Sequence, residues 1–398
     1  MKRTKSVFGI SCLTLVVGLF FISVFFAEEA AAQAKTLKIG LITSVTGPMA
    51  PAFKSLVEGA KPTADIINQR GGITVGGEKY LIQIVTEDDQ SSPPGAIAAA
   101  NKLMQEGVKF MVPPLFMPSN LAIASVTEEA KILRMKAYGL GRDEVGPKLR
   151  YSFFASTTAY NIPVFYDYLK KNYSKVKRIA MITPDDPGAV PFQEHTEQEI
   201  RKHGMDLVYK EAFKPGSEDF YPILTKALEK KPDAIDVIVS IIPWSAGIIN
   251  QSRELGFTGP IFAPCIFGDI NILRSVLTPK YANDIFQGGP DVLSPKMPSI
   301  VKDYRALVEK ETKSPFEMGH TIILEAAYVL LRAIEKAQSF DTDKVVATLE
   351  GMKSIDTLYG PGRMGGQDIY GINHVIRRPI PITRIMNNKV EFEFSGKD

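Results

Sequence analysis

Short apolar runs alternate with amphipathic helical stretches through most of this 398-residue chain. The first run, 37–43 (LKIGLIT), is typical of a buried strand, and a predicted helix over 55–69 follows it after a Gly-Pro loop. Pro62 lies inside that helix, so we expect it to kink or shorten the helix. The further predicted strands are 80–86, 109–112, 132–136, 150–155, 178–183, 206–213, 235–241, 260–263, 379–386 and 390–394. The further predicted helices are 95–106, 119–130, 159–173, 191–203, 220–230, 245–255, 298–313, 319–337 and 342–351.

This alternation predicts an α/β fold made of two doubly wound lobes. Strand-like runs between helices indicate βαβ units with parallel sheets. The polar segment 142–148 divides the alternation into two series, and the chain is long enough for two domains. After 286 the sequence becomes rich in helices and then ends in strand-like segments. Ligands of such sheets bind beyond the carboxyl ends of the strands, so we expect a site there.

The first residues have the layout of a secretory signal peptide. Lys2, Arg3 and Lys5 precede an apolar run over 7–26, and small residues lead to an A-x-A-like cleavage site before Lys35. The apolar run is also long enough for a membrane anchor. The alanine-rich flank favours cleavage, so we expect a signal peptide over 1–34 and a periplasmic mature protein.

Composition and motifs exclude several function classes. No block of lysine and arginine indicates nucleic-acid binding. Of the two cysteines, Cys12 leaves with the signal peptide, so no intrachain disulfide can form in the mature protein. The G-x-G-x-x-G match over 360–365 contains Pro361 and lacks the strand-to-helix context of a dinucleotide site. Because no nucleophile–base pair or metal-binding cluster is recognisable, we expect neither catalysis nor a bound cofactor or metal.

Several segments resemble a known family in order and spacing. The segments are 37–50 (LKIGLITSVTGPMA), 66–77 (IINQRGGITVGG), 87–90 (EDDQ), 98–109 (AAANKLMQEGVK), 178–184, 216–225 (GSEDFYPILT) and 356–362 (DTLYGPG). Together they resemble the substrate-binding proteins of branched-chain amino-acid-type ABC importers, the leucine/isoleucine/valine-binding protein family with the type I periplasmic binding fold. The resemblance covers nearly all of the chain after the predicted signal peptide.

The resemblance implies two Rossmann-like lobes that are joined by three hinge crossovers and close around a ligand. It implies an N-terminal lobe over 35–156 and 288–363, and a C-terminal lobe over 157–287 and 364–398, with the third crossover near Met364. It also implies a monomer whose partners are a small-molecule ligand and a membrane permease, with no role for nucleic acid.

The resemblance further implies which residues form the pocket. Amino-acid binders place a hydroxyl residue at Met117, with Ser119 close by, and a backbone donor and a threonine at Gly139 and Leu140. Their first-loop aromatic falls near Ala52, which makes Phe53 the candidate, and their second-lobe tyrosine falls at Ile241, close to Trp244. The acid that pairs with the substrate ammonium aligns with Cys265, and Asp269 is the alternative. Tyr160 and Asn161 follow the first crossover and are further candidates.

The differences between these positions and those of the amino-acid binders indicate that the ligand is not a plain α-amino acid. A buried ammonium without its carboxylate partner costs several kcal/mol. We therefore expect a carboxylate ligand with an aromatic or otherwise apolar body, held by backbone groups at Gly139 and the start of the helix at Ser119, together with Arg142. The aromatic candidates for the pocket wall are Phe53, Phe116, Tyr138, Trp244 and Phe267, any of which is also compatible with a place in the core.

Two alternatives keep the fold and change the role. A ligand-sensing receptor subunit of the same fold needs no importer, and an ordinary branched-chain amino acid remains a possible ligand. An exported enzyme is the third class, and it lacks recognisable catalytic residues.

Overall fold

The strands form two large sheets and one two-stranded sheet within residues 35–264 and 266–395, which the computed structural model of the protein describes. The predicted signal peptide and Cys265 lie outside the described residues. The strands are β1 (Lys35–Thr43), β2 (Ile73–Val75), β3 (Glu78–Asp88), β4 (Phe110–Val112), β5 (Leu133–Lys136), β6 (Ser152–Phe154), β7 (Arg178–Pro184), β8 (Asp206–Phe213), β9 (Ala234–Val237), β10 (Ser240–Ile241), β11 (Ile261–Ala263), β12 (Ile266–Phe267), β13 (Ile285–Gln287), β14 (Ile355–Thr357), β15 (Gly360–Gly365), β16 (Val375–Arg377), β17 (Ile380–Met386) and β18 (Lys389–Ser395).

Helices separate most of these strands, as the alternation in the sequence predicts. They are α1 (Ala50–Gln69), α2 (Pro93–Gln105), α3 (Met117–Ala122), α4 (Ala124–Glu129), α5 (Thr158–Asn172), α6 (Val190–Lys202), α7 (Tyr221–Glu229), α8 (Ile242–Glu254), α9 (Ile270–Val276), α10 (Ser299–Thr312), α11 (Met318–Ala337), α12 (Thr342–Gly351) and α13 (Gln367–Tyr370). None of the helices in the described ranges combines the length and the apolar character that crossing a membrane requires.

The first lobe is built on a nine-stranded sheet in the order β14-β15-β16-β6-β5-β4-β1-β3-β2. Its central pairs, from β3 through β1, β4 and β5 to β6, are parallel, whereas β2, β14 and β15 pair antiparallel at the two ends. Helices α1, α10, α11 and α12 supply the main core, and α2 supplies a second core of small apolar side chains. The sheet is therefore doubly wound.

The second lobe is built on a seven-stranded sheet in the order β18-β17-β13-β11-β9-β7-β8. The strands from β8 to β13 are parallel, and β17 and β18 form an antiparallel hairpin at one edge. One core contains side chains from α7, α8 and α9, and another contains side chains from α5 and α6. The predicted fold of two doubly wound lobes is confirmed.

The chain passes between the two large sheets three times, after β6, after β13 and after β16. The family resemblance implies a third crossing near Met364. Met364 instead pairs with Ile376 inside the first sheet, because β15 and β16 form an antiparallel ladder there. The third crossing is therefore the short segment between Arg377 and Ile380, which joins β16 directly to β17.

Helix α1 also differs from the helix that was predicted over 55–69. It runs from Ala50 to Gln69 with Pro62 inside it, so the proline does not shorten the helix. Pro62 is buried, and α1 packs against α10 and α11. Tertiary packing of an amphipathic helix supplies most of its stability, so this packing offsets the intrahelical hydrogen bond that the proline removes.

Candidate functional site

A cavity of about 330 Å³ lies between the two lobes. Its wall follows the carboxyl ends of β4 and β5 in the first lobe and of β7 and β9 in the second. Ligands of parallel α/β sheets bind at this edge, and ligand pockets usually measure about 300–1,000 Å³. The first-lobe wall includes Phe53, Phe116, Met117, Tyr138, Leu140 and Ile322, and the second-lobe wall includes Asn161, Asp186, Phe192, Val239 and Ile380.

Aromatic side chains of the two lobes meet across the cavity. The ring of Tyr138 stacks on that of Phe192 with their centroids 6.3 Å apart and their planes 12° apart. The side-chain amide of Asn161 donates to the Tyr138 hydroxyl at 3.1 Å and accepts from the Ser156 hydroxyl at 3.2 Å. The apolar wall therefore has an oriented polar contact where the two lobes touch.

Val239, on the second-lobe wall, has a strained backbone. Its φ angle is 46°, in the left-handed region that β-branched residues rarely occupy. It follows β9 and precedes β10, so the strain lies at the edge where a ligand would bind. Such strain persists only where the surrounding structure imposes it, and it is concentrated at ligand sites.

One face of helix α11 contributes to the first-lobe wall. Met318, Thr321, Ile322 and Glu325 line the cavity at helical spacing. Glu325 is buried in an otherwise apolar stretch, and its carboxylate pairs with the Arg378 guanidinium in the third crossing. Burial raises the pKa of the Glu325 carboxyl, and the positive charge of Arg378 opposes this rise. The guanidinium carbon lies 4.4 Å from the centroid of the Tyr359 ring, which also lines the cavity.

The loop after β5 is held by a buried carboxylate. The Oε1 atom of Glu144 accepts hydrogen bonds from the backbone N–H groups of Leu140, at 3.0 Å, and Gly141, at 2.9 Å. Its Oε2 atom accepts from the Asn120 side-chain amide at 2.7 Å and from the Lys136 ammonium. Both side chains of the Lys136–Glu144 pair are buried, and burial lowers the pKa of Lys136. The pair therefore fixes the loop that carries Leu140 into the cavity wall.

Six of the residues predicted for the site lie in the cavity wall. They are Phe53, Phe116, Met117, Tyr138, Leu140 and Asn161. They come from four different segments of the chain, and the two sheets bring these segments together at one edge. Their contact with a ligand remains a prediction.

Gly139 and Ser119 do not lie in the described cavity wall. The Gly139 N–H donates to the Ser156 carbonyl at 2.8 Å, so it is not free to hold a ligand carboxylate as we expected. A Cβ atom at Gly139 would lie 2.2 Å from the Phe154 ring, so close packing requires glycine here. Ser119 is fully buried, and its hydroxyl has no hydrogen-bond partner among the described residues.

Arg142 and Tyr160 also lie outside the described cavity wall. Arg142 is exposed at the start of a short 3₁₀ turn, Arg142–Glu144. The Tyr160 hydroxyl donates to the Asp368 carboxylate at 3.1 Å, and the Arg377 guanidinium lies 3.9 Å from the centroid of the Tyr160 ring. Tyr160 therefore joins α5 to the end of the first lobe.

Of the predicted second wall, around 241–267, Trp244 does not contribute to the described cavity wall, and the side chains of Cys265 and Phe267 lie outside the described residues. The Trp244 ring packs edge-on against Phe213 at 5.3 Å, as part of the second-lobe core. The backbone of Phe267 pairs with Ile241 in the two-stranded sheet, and Cys265 lies outside the described residues. Asp269 is buried and accepts from the Asn271 N–H at 2.7 Å, which caps α9 and keeps the carboxylate out of the described cavity wall. Phe192, Val239 and Ile380 are apolar residues of the described wall on this side of the cavity.

The charged pair of the cavity, Glu325 and Arg378, was not among the residues predicted for the site. The sequence pattern around Glu325 could have indicated a buried charged pair, because a single acidic residue within the apolar face of a predicted helix needs a buried partner. Arg378 carries no such signal, since Arg377-Arg378-Pro379 has the composition of an exposed loop.

One cluster among the described residues has the composition of a metal site. Ligand atoms of Asp167, Glu199 and His203 lie within 4.8 Å of one another on the second lobe. The Lys202 ammonium donates to Glu199 at 2.9 Å, so a cation already partners the buried carboxylate. The cluster does not contribute to the described cavity wall.

Comparison with known proteins agrees with this fold. A leucine/isoleucine/valine-binding protein of Rhizobium johnstonii, BraC3, is 26% identical over 326 residues, which cover 81% of this chain and 86% of the relative. The isoleucine-bound branched-chain amino acid binding protein LivJ of Streptococcus pneumoniae superimposes with a TM-score of 0.72 and 20% identity, and the match covers 91% of this chain and 100% of that one.

A solute-binding protein of an ABC transporter from R. palustris, in complex with benzoate, superimposes with a TM-score of 0.70 and 15% identity. That match covers 90% of this chain and 96% of the other. Residues 36–389 match the family model described as periplasmic binding protein. The chain therefore belongs to the periplasmic binding protein family.

Proposed function

We propose that this protein captures a small aromatic carboxylate in the cavity between its lobes and delivers it, chemically unchanged, to an ABC importer in the membrane. The observation that carries the proposal is the cavity itself, which has a volume of about 330 Å³ and a wall of mainly apolar and aromatic side chains from both lobes. An aromatic body fits such a wall, because each buried ring contributes a large apolar area.

Among the described wall residues, the one buried carboxylate is already paired with a cation, so a buried ammonium would lack a free partner there. Three charged side chains line its described wall, and two of them, Glu325 and Arg378, pair with each other. The third, Asp186, is exposed, and one of its oxygens already accepts from the Gly188 N–H at 2.7 Å. An α-amino acid brings an ammonium that must be paired when buried, whereas an aromatic acid does not. The benzoate complex of the R. palustris protein supports the use of this fold for such a ligand.

Ligand binding is coupled to lobe closure through the wall composition. A molecule in the cavity touches the first lobe at Phe53 and Leu140 and the second lobe at Phe192 and Ile380. A ligand shifts an open–closed equilibrium by the additional contacts that it makes in the closed state. The closed form would then be the form that the permease binds. We propose binding without turnover, because the family members found here are solute-binding proteins.

Titration calorimetry of the purified protein tests this function. We expect benzoate and 4-hydroxybenzoate to bind at one molecule per chain, with affinities at least about tenfold above those of leucine and isoleucine, which is a difference of about 1.4 kcal/mol. Recovery of unchanged ligand from the complex would support binding without chemistry. Tight binding of leucine would contradict the aromatic ligand and favour a branched-chain amino acid, with Asp186 as the residue that pairs with its ammonium.

Two variants of one helix locate the binding. Ile322 of α11 lines the cavity, whereas Tyr328 of the same helix does not contribute to its described wall. Ile322→Trp should fill part of the cavity and weaken benzoate binding about tenfold or more, while Tyr328→Trp should leave it unchanged. Equal affinities for the two variants would place the ligand elsewhere.

A further inference from the structure

Arg378 is the one cation in the described wall of the cavity, and its surroundings leave part of it available. Its side chain is 6% exposed, and that of Glu325 is 5% exposed. Arg378 Nη2 donates to Glu325 Oε2 at 3.0 Å, and Nε faces Glu325 Oε1. Glu325 therefore occupies the side of the guanidinium formed by Nε and Nη2.

The other end of the guanidinium is less engaged. A guanidinium carries five N–H groups. Nη2 of Arg378 donates one to Glu325 and Nη1 donates one to the carbonyl of Pro379 at 3.1 Å, while Nε is in ion-pair contact with Glu325 without a hydrogen bond. One N–H on each Nη atom has no acceptor among the described residues. A pair of N–H groups on the two Nη atoms matches the two oxygens of a carboxylate.

We infer that Arg378 is the carboxylate-binding residue of this cavity, and that Glu325 orients its guanidinium while competing with the ligand for it. The inference rests on the proposed function, since it requires an acid as ligand. Arg378 takes the carboxylate-binding role that the sequence predicted for the backbone of the loop after β5. The N–H groups of that loop at 139–141 already donate to Ser156 and Glu144.

The position of Arg378 in the third crossing adds a consequence for closure. Arg378 directly follows β16 of the first lobe and precedes β17 of the second, and Glu325 lies in the first lobe. A ligand on Arg378 therefore contacts the segment about which the lobes move. Because Tyr359 lies under the guanidinium, the orientation of the side chain is fixed before the ligand arrives.

The test compares benzoate with benzamide, which has the same ring and no charge. We expect Arg378→Met to reduce the preference for benzoate over benzamide by about 30-fold or more, and Arg378→Lys to restore part of it. Glu325→Gln should have the opposite sign, raising benzoate affinity about tenfold, because it removes a negative charge next to the ligand. Changes of opposite sign in the two variants distinguish ligand recognition by Arg378 from a merely structural role of the pair. In a structural role, the loss of either partner would weaken binding.

Arg377→Met is the matched control, since the Arg377 side chain pairs with Asp368 and does not line the described cavity wall. Arg378→Met/Glu325→Leu removes both charges, so it tests the preference even where the single methionine variant does not fold. An unchanged preference in both Arg378→Met and the double variant, or a loss of equal size in Glu325→Gln, would overturn the inference. If the unmodified protein binds no aromatic acid, that result contradicts the proposed function and, because the inference rests on this function, the inference as well.

Discussion

Replacing Lys136 by methionine should lower the free energy of unfolding by about 3–5 kcal/mol. The substitution leaves the Glu144 carboxylate buried without its positive partner, while its hydrogen bonds from Asn120 and the loop after β5 remain. Breaking a buried pair on one side is costly because the remaining charge is no longer compensated. Urea unfolding followed by circular dichroism measures the change.

Lys38→Met is the matched control for this prediction. Lys38 also lies on a strand of the first sheet, but its ion pair with Glu106 is exposed and spans 3.4 Å. Exposed pairs contribute about 0–1 kcal/mol, so we expect a change of that size or less. A loss in Lys136→Met no larger than that in Lys38→Met would show that the buried pair does not hold the loop.

The second large effect is a pH dependence of stability that originates at Asp236. This residue is fully buried on β9, and its carboxylate accepts from the Tyr166 hydroxyl. Burial raises the pKa of Asp236 from 3.8 to about 7, and the hydrogen bond from Tyr166 opposes the rise. In the unfolded chain the same carboxyl ionises near its ordinary pKa of about 4. The folded state therefore binds more protons between about pH 4 and pH 7, so stability falls as the pH rises through this window.

The size of this change in stability follows from the difference between the folded and unfolded pKa values of Asp236. Each unit of pKa difference corresponds to about 1.4 kcal/mol, so Asp236 should account for a loss of up to about 4 kcal/mol between pH 4 and pH 8. Burial also raises the pKa of Asp269, to about 6, which adds a loss of the same sign at the lower end of the window. Unfolding titrations at several pH values should show a weaker dependence in Asp236→Asn.

Asp269→Asn provides the comparison, because it should remove only the part of the pH dependence below about pH 6. Burial lowers the pKa of His195, His320 and His374, which adds a pH dependence of the opposite sign in the same window, so the assignment is tested on the difference between variant and wild type. An Asp236→Asn variant with the wild-type pH profile would contradict it.

The alternation of apolar runs and helices was enough to predict the two sheets, because it depends on local burial patterns. The strand 206–213 and the helix 342–351 agree with the structure residue for residue. The hairpin of β14 and β15 was not predicted, since 360–365 contains glycines and Pro361 and lacks an apolar pattern. It exists because the edge of the first sheet supplies partners for its backbone.

Six of the residues predicted for the site lie in the described cavity wall, and five of these six belong to the first lobe. Phe116, Tyr138 and Leu140 lie directly after predicted strands, and the carboxyl ends of parallel strands meet at one edge. Trp244 has the same kind of position after β10, but its ring turns into the second-lobe core beside Phe213. Side-chain direction of this kind depends on tertiary packing, which one sequence does not reveal. The place of the Arg378 side chain in the cavity wall depends even more on tertiary packing, because its partner Glu325 lies on a helix that is distant in the sequence.

Hydrogen–deuterium exchange of the protein with and without benzoate tests most directly whether a ligand binds between the two lobes. We expect the ligand to slow exchange in 115–118 of the first lobe, 186–192 of the second lobe and the crossing around Arg378, with no change in α8. Protection on both sides at once is expected of a molecule that binds between the lobes and favours their closed state. Protection confined to one lobe, or protection of α8 with none around Arg378, would contradict the account.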